Sequence, residues 1–397
     1  MKILQIAPQF PYPLDSGGKN GIYNITRQLS RFGAEVFLVS YSRNPVSIEH
    51  INHFKTFCNP FILHENTAND LNKVIKYFIK KESIFTEKYF TPKSIEFFDK
   101  LLKKIDFDII HLDHTAMFSI GKWVSQKSKK PVGLRLHNIE WLIWKRFLDT
   151  QARLSPKRIF LKQQTYLLRE KERQAIEFAK VSFTCTENDR QRALELVPNA
   201  NVLVASPGVD LDLWKIDETI NRNPYEIVFA TTFEWRHNVD GLFWYLENVH
   251  PIIIKQEPKI ILTILGKNPP SFLKKYPNLN VVGYVPSVQP YYNRANLFIV
   301  PLFVGSGVRM RILEAMAMGL PIVSTSIGAE GITATDAQGL LIADSVEEFA
   351  RNVLHFVKKP DLARQIGLNA RNYIEQNYSV QTTIKVIFDA YNDILSS

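Results

Sequence analysis

Short, uninterrupted apolar runs recur along this chain, and helical patterns separate most of them. They fall at residues 3–7, 35–40, 107–112, 132–136 and 181–185, and again at 226–230, 260–265, 281–283, 297–301, 321–324 and 340–342. A strand without polar alternation is apolar on both faces, which suits a parallel sheet covered by helices on both sides. Parallel neighbours need long crossover connections, and the intervening helical patterns supply them. The rhythm breaks near 207–225, across a polar segment, and then restarts. The fold class that follows is α/β, as two consecutive open α/β units. In such sheets ligands bind beyond the carboxyl ends of the strands, so the loops that follow strands carry the chemistry.

Composition fits this reading. The chain has 397 residues, 45% hydrophobic and 22% charged, enough for two globular domains. Two cysteines, Cys58 and Cys185, make no disulfide framework, and no Cys/His spacing resembles a zinc site. The N-terminus meets proline before any long apolar core, so no secretory leader is expected. No run of about 18 uncharged apolar residues exists to span a bilayer. A cytoplasmic protein is the expectation.

The net charge of +10 is unevenly placed. Residues 1–210 carry 32 Lys and Arg against 21 Asp and Glu, whereas residues 211–397 carry 17 against 18. The first half therefore suits an anionic partner, such as a phosphorylated substrate or an anionic membrane surface. Nucleic acid has no supporting motif. Within 71–81, Leu71, Val74, Ile75, Phe78 and Ile79 follow a helical stripe, with Lys73, Lys76, Lys80 and Lys81 outside it. A second basic segment, 157–180, interleaves Ile159, Phe160, Tyr166 and Leu167 with cations. Such helices either turn the apolar stripe to the core or lie on an anionic membrane.

Several loops after strands have the composition of ligand sites. Gly17 and Gly18 follow the first strand and precede a helix, where backbone N–H groups can approach an anion. The loop is not a dinucleotide fingerprint. The stretch 301–331 is more informative: strand, the loop Gly305-Ser306-Gly307, then a helix from about Val308 to Met318. Arg309 and Arg311 stand at the helix start against its dipole, which a bound phosphate would explain. Glu314 lies one turn on, where a carboxylate can accept from a ribose diol. His137 ends a strand and could act as donor or proton carrier. The loop after 226–230 offers Thr231, Thr232, Arg236, His237 and Asn238, with Arg236 a second cation for a diphosphate. The Asp-x-Asp strings at 106–108 and 210–212 read as structural, the first at the start of a strand and the second in the interdomain connection.

These residues together resemble glycosyltransferase family 4. The likeness rests on the P-x-x-x-x-G-G loop ending at Gly18, on 108–113 (DIIHLD), on 206–210 (SPGVD), on 282–285 (VGYV), and above all on 313–323 (LEAMAMGLPIV). It implies the GT-B fold, two Rossmann-like open α/β domains facing across a cleft. The domains are expected at 1–208 and 209–377, with a last helix, about 378–397, packing back on the first. It further implies a retaining, metal-independent hexosyltransferase, with a nucleotide diphosphate sugar as co-substrate, no bound cofactor, and a glycan or lipid-linked acceptor. Glu314 aligns with the second glutamate of the family's E-x7-E motif and is implied to bind the ribose. Gly266, Tyr284 and Val285 fall at donor-side strand ends, with Tyr284 and Val285 in the loop that receives the base. Gly17 and Gly18 fall on the acceptor side, and His137 beside the donor sugar. Ser306 stands where the family has its first glutamate, so Ser306 and the backbone of Gly307 would take over its contact. A protein that keeps the fold and the donor site with little turnover is the alternative, and Ser306 is its support.

Overall fold

The structure is a computed structural model and describes residues 1–14, 16–149, 151, 155–304 and 308–396. The chain divides into two compact units, residues 1–206 with 383–397 and residues 207–382. Unit 1 is built on β1 (Lys2–Ala7), β2 (Glu35–Ser42), β3 (Asn59–His64), β4 (Ile109–Leu112), β5 (Val132–Leu136), β6 (Val181–Thr184) and β7 (Val202–Val204). They form one sheet in the order β3-β2-β1-β4-β5-β6-β7, every pairing parallel. Unit 2 uses β8 (Glu226–Ala230), β9 (Ile261–Leu265), β10 (Leu279–Gly283), β11 (Leu297–Val300), β12 (Ile322–Ser324) and β13 (Leu340–Ile342). Its order is β10-β9-β8-β11-β12-β13, again parallel throughout.

The central strands are buried along their whole length, as continuous apolar runs require. Two strands escape the sequence pattern. β3 starts with Asn59-Pro60 at an edge of the sheet, and β7 is three residues long. Edge position lowers the demand for apolar residues, so both lack the signature.

The helices that shape the sites are α1 (Gly17–Arg31), α2 (Ile48–Lys55), α3 (Leu71–Lys80), α4 (Glu140–Asp149), α5 (Pro156–Phe178), α6 (Arg236–Trp244) and α7 (Met310–Ala317). Ser16 caps α1 by accepting from the Lys19 N–H, and Gly33, at φ 91°, takes the left-handed turn that follows. α7 begins at Met310 rather than Val308, because Arg309 is the extended residue at its N-cap. Among the described residues no helix is long and apolar enough to cross a membrane.

The last helix, Val380–Ser396, lays Tyr391 against unit 1. Tyr391 is fully buried, and its hydroxyl lies 2.5 Å from Nδ1 of His111 in β4. Gly133 in β5 makes room for it: a Cβ there would stand 2.2 Å from the Tyr391 hydroxyl. Gly133→Ala is therefore expected to destabilise unit 1 by about 1–3 kcal/mol through overpacking, measured by urea unfolding.

Candidate functional site

In unit 1 the strand order reverses between β1 and β4, the place where open α/β sheets bind ligands. A cleft of about 980 Å³ opens there, bounded by the loops after β1, β2, β4 and β5. Polar residues inside otherwise apolar strands build the layer beneath it. Asp113, directly after β4, is fully buried. Its Oδ1 accepts from Arg135 Nη1 at 3.0 Å, and its Oδ2 accepts from Gln5 Nε2 at 2.8 Å. Gln5 Oε1 in turn accepts from Thr26 Oγ1 of α1 at 2.9 Å. Burial alone would raise the Asp113 carboxyl, but the Arg135 guanidinium and His137 hold it well below the usual carboxylate range. Gly21 admits the guanidinium, since a Cβ on that turn of α1 would lie 2.8 Å from both its terminal nitrogens.

His137 sits on the cleft wall above this pair. Its Nε2 lies 2.7 Å from Arg135 Nη1 and 3.0 Å from Asp113 Oδ1. Burial first, and the guanidinium second, push its pKa down to about 4, so the ring is neutral near pH 7. That leaves Nδ1 as the ring nitrogen available to a ligand. His114 is 5.1 Å away, ring centre to ring centre. Its Nδ1 accepts from the Ala116 N–H at 3.1 Å, and its Nε2 faces Glu140 Oε1 at 3.3 Å. Both nitrogens are engaged, so His114 shapes the wall. Behind it the buried Glu172 accepts from the Glu140 and Trp141 N–H groups, at 3.1 and 3.2 Å, and so anchors the first turn of α4. Gly18 lines the cleft, and no neighbouring atom lies within 4 Å of a Cβ built on Gly17.

Unit 2 reverses its strand order between β8 and β11. Helices α6 and α7 begin just beyond those two strands, so their N-termini open at the same edge of the sheet. The predicted residues divide among its loops. After β8, Asn238 is buried and donates to the Thr232 carbonyl at 2.8 Å, fixing the turn into α6. Arg236 is exposed and pairs with Asp240 at 2.7 Å. After β11, Arg309 stands at the N-cap position of α7 and is close enough to lower the pKa of His237, which burial depresses first. Arg311 Nη1 donates to Glu314 Oε2 at 2.9 Å. Glu314 is buried, which raises its carboxyl, while Arg311 opposes the shift. Gly266 follows β9 at φ 149°, and a Cβ there would meet the Thr231 carbonyl at 2.1 Å. Tyr284 and Val285 follow β10; Tyr284 is exposed, and Val285 packs on the core. Gly305, Ser306 and Gly307 lie outside the described residues.

Gln5, Arg135 and Glu172 are not among the residues expected from the sequence, and Asp113 enters there only as the last residue of 108–113. A signal was present for three of them: Gln5 and Arg135 interrupt apolar strands, and Asp113 ends one. Asp113→Asn leaves Arg135 buried without a counter-charge and is expected to cost about 3–5 kcal/mol of stability, measured by denaturant unfolding at neutral pH.

Comparison with known proteins adds the following. Residues 16–213 match the model of Glycosyltransferase Family 4, and residues 224–359 match that of Glycosyl transferases group 1. An uncharacterized 44.6 kDa protein in the cps region of Klebsiella pneumoniae is 26% identical over 98% of this chain and 99% of its own length. Sucrose-phosphate synthase from Thermosynechococcus elongatus superposes with a TM-score of 0.68 at 15% identity, covering 100% of each chain. Anabaena HepE, solved in complex with UDP, gives 0.65 at 14% identity over 99% of this chain and 100% of its own. These structures share the two parallel Rossmann-like sheets of the GT-B fold. The chain belongs to glycosyltransferase family 4.

Proposed function

We propose that the protein is a retaining transferase that moves a hexose from a nucleotide diphosphate sugar to a glycan or lipid-linked acceptor in polysaccharide synthesis. The observation that carries the donor side is in unit 2. Two helix N-termini open at the strand-order reversal, with Arg309 at one and His237 at the other, and the buried Glu314 one turn into α7. In this reading Arg309 and the helix starts stabilise the leaving diphosphate, and Glu314 accepts from the ribose hydroxyls. Arg311 holds Glu314 in place until those hydroxyls arrive. Thr232, Asn238 and Gly266 shape the loops around the phosphates, and Tyr284 and Val285 border the base. The UDP bound by HepE makes UDP-sugars the first donors to try, and the cps-region relative favours a polysaccharide pathway.

The reaction exchanges one bond for another at the anomeric carbon. The acceptor oxygen bonds to that carbon, the carbon–phosphate oxygen bond breaks, and the departing diphosphate takes the acceptor proton. Attack from the face that the diphosphate leaves retains the configuration. His137, neutral and with Nδ1 available, serves as a hydrogen-bond partner for a sugar hydroxyl rather than as a cationic acid.

A thermal-shift panel of nucleotide diphosphate sugars tests the donor side. One donor is expected to raise the melting temperature of the wild type. Arg309→Ala and Glu314→Gln should each weaken that donor by about 10-fold or more. A panel that shifts nothing, joined to an absence of transfer, would support the fold-retaining, low-turnover alternative.

The acceptor side is read as working at an anionic membrane surface. α3 does not turn its stripe to the core: Leu71, Ile75 and Ile79 are 72%, 49% and 72% exposed, beside exposed Lys76 and Lys80. Ile159 and Tyr166 of α5 extend the apolar surface next to it, where Phe78 and Phe160 meet. Cosedimentation with phosphatidylcholine vesicles is expected only when phosphatidylglycerol is included. Lys76→Glu with Lys80→Glu should then lower binding by about 10-fold or more.

A further inference from the structure

The cleft of unit 1 is lined by cations. Arg43, in the loop after β2, and Lys88, just after the short helix Ile84–Glu87, both line it. Arg43 Nε donates to Thr67 Oγ1 at 3.4 Å, and Lys88 Nζ donates to Asn69 Oδ1 at 3.3 Å. Neither forms an ion pair among the described residues, and no Asp or Glu is among the described residues lining the cleft. The cleft also meets the first turns of α1 and α2, through Gly18 and through Ser47 and His50. Both helix starts direct backbone N–H groups outward and favour negative charge. Two side-chain cations and two helix N-termini thus bound one concavity. The aromatic residues Tyr12 and Phe85 also line it and supply apolar surface on which a sugar ring can pack.

Unpaired cations crowded together are costly unless something negative joins them. Burial, Arg43 and Lys73 together depress the Lys88 ammonium to about 8. Lys73 itself is turned to the carbonyls of Asn66 and Ala68 and pairs with Asp70, so Arg43 and Lys88 gain no counter-charge from this neighbour. An oxyanion bridging Arg43 and Lys88 would relieve this repulsion and gain two charge-assisted hydrogen bonds.

We propose that the acceptor is an anionic saccharide whose carboxylate or phosphate group is held by Arg43 and Lys88, which makes these two residues determinants of acceptor choice. The proposal rests on the transferase reading for the word acceptor; the anion site stands on the cleft alone. Isothermal titration of the full-length protein with glucuronate, glucose 1-phosphate and glucose, at low salt, tests it. One or both anionic sugars are expected to bind at least about 10-fold more tightly than glucose, and Arg43→Gln and Lys88→Gln should each abolish most of that preference. Preference for glucuronate assigns a carboxylate, and preference for glucose 1-phosphate assigns a phosphate.

Arg43→Lys and Lys88→Arg keep the charge and should retain part of the preference, which separates loss of the site from loss of folding. Equal binding of all three sugars overturns the proposal. So does anionic binding that survives Arg43→Gln and Lys88→Gln but is lost in Arg309→Ala, since the anion then lies in unit 2; the donor reading would stand. If the Arg43 and Lys88 variants behave as expected while no nucleotide diphosphate sugar binds the wild type, the anion site stands and the transferase reading fails.

Discussion

The ion pair between Asp113 and Arg135 sets the terms for unit 1. Two opposite charges without water are tolerated only when every remaining hydrogen-bonding valence is filled. Asp113 meets that demand with Arg135, Gln5 and His137, and Gln5 passes it on to Thr26. The result ties β1, β4, β5 and α1 together at the point where the sheet reverses its order. It also explains why α1 must come close enough to require glycine at position 21. A layer so fully bonded is rigid, and His137 inherits its position from it. The neutrality of His137 comes from the same source, because a nearby guanidinium and a dry surrounding both disfavour a second positive charge.

Unit 2 fixes its loops by a different means. Backbone approaches backbone so closely that side chains are excluded. Gly266 lies against the Thr231 carbonyl, and a Cβ on Gly241 of α6 would meet the Pro301 carbonyl at 2.1 Å. Near the strand-order reversal, Arg309, Arg311 and Glu314 lie in or beside the first turn of α7. Arg311 and Glu314 form a local pair that can open without disturbing the sheet. The two units thus share a topology while differing in how firmly their polar residues are tied down.

Much of this was legible in the sequence. Continuous apolar runs marked the central strands, because a strand buried on both faces admits a polar residue only where a partner satisfies it. The helix and strand around Glu314 were readable for the same reason, together with the glycine and proline that punctuate them. Edge strands β3 and β7 were not, since an edge tolerates Asn59-Pro60 and a length of three residues. The layer beneath the cleft was hidden for another reason. Gln5, Asp113 and Arg135 each look like an interruption of a local pattern, and only pairing across 108 and 22 residues turns them into one feature. Periodicity reports on neighbours along the chain and is silent about such partners. The stripe on α3 shows the converse limit: amphipathic spacing identified a helix face but not what that face would meet.

The contact between His111 and Tyr391 spans 280 positions. Everything in unit 2 is encoded between the two partners. During synthesis the first sheet therefore emerges early but waits for the closing helix until the second sheet has been made. Until then Gly133 and His111 face an unfilled groove in β4 and β5, open to whatever apolar segment arrives first. The order of translation thus gives unit 2 the chance to fold first, and gives the last helix the role of finishing a unit that began with the first strand.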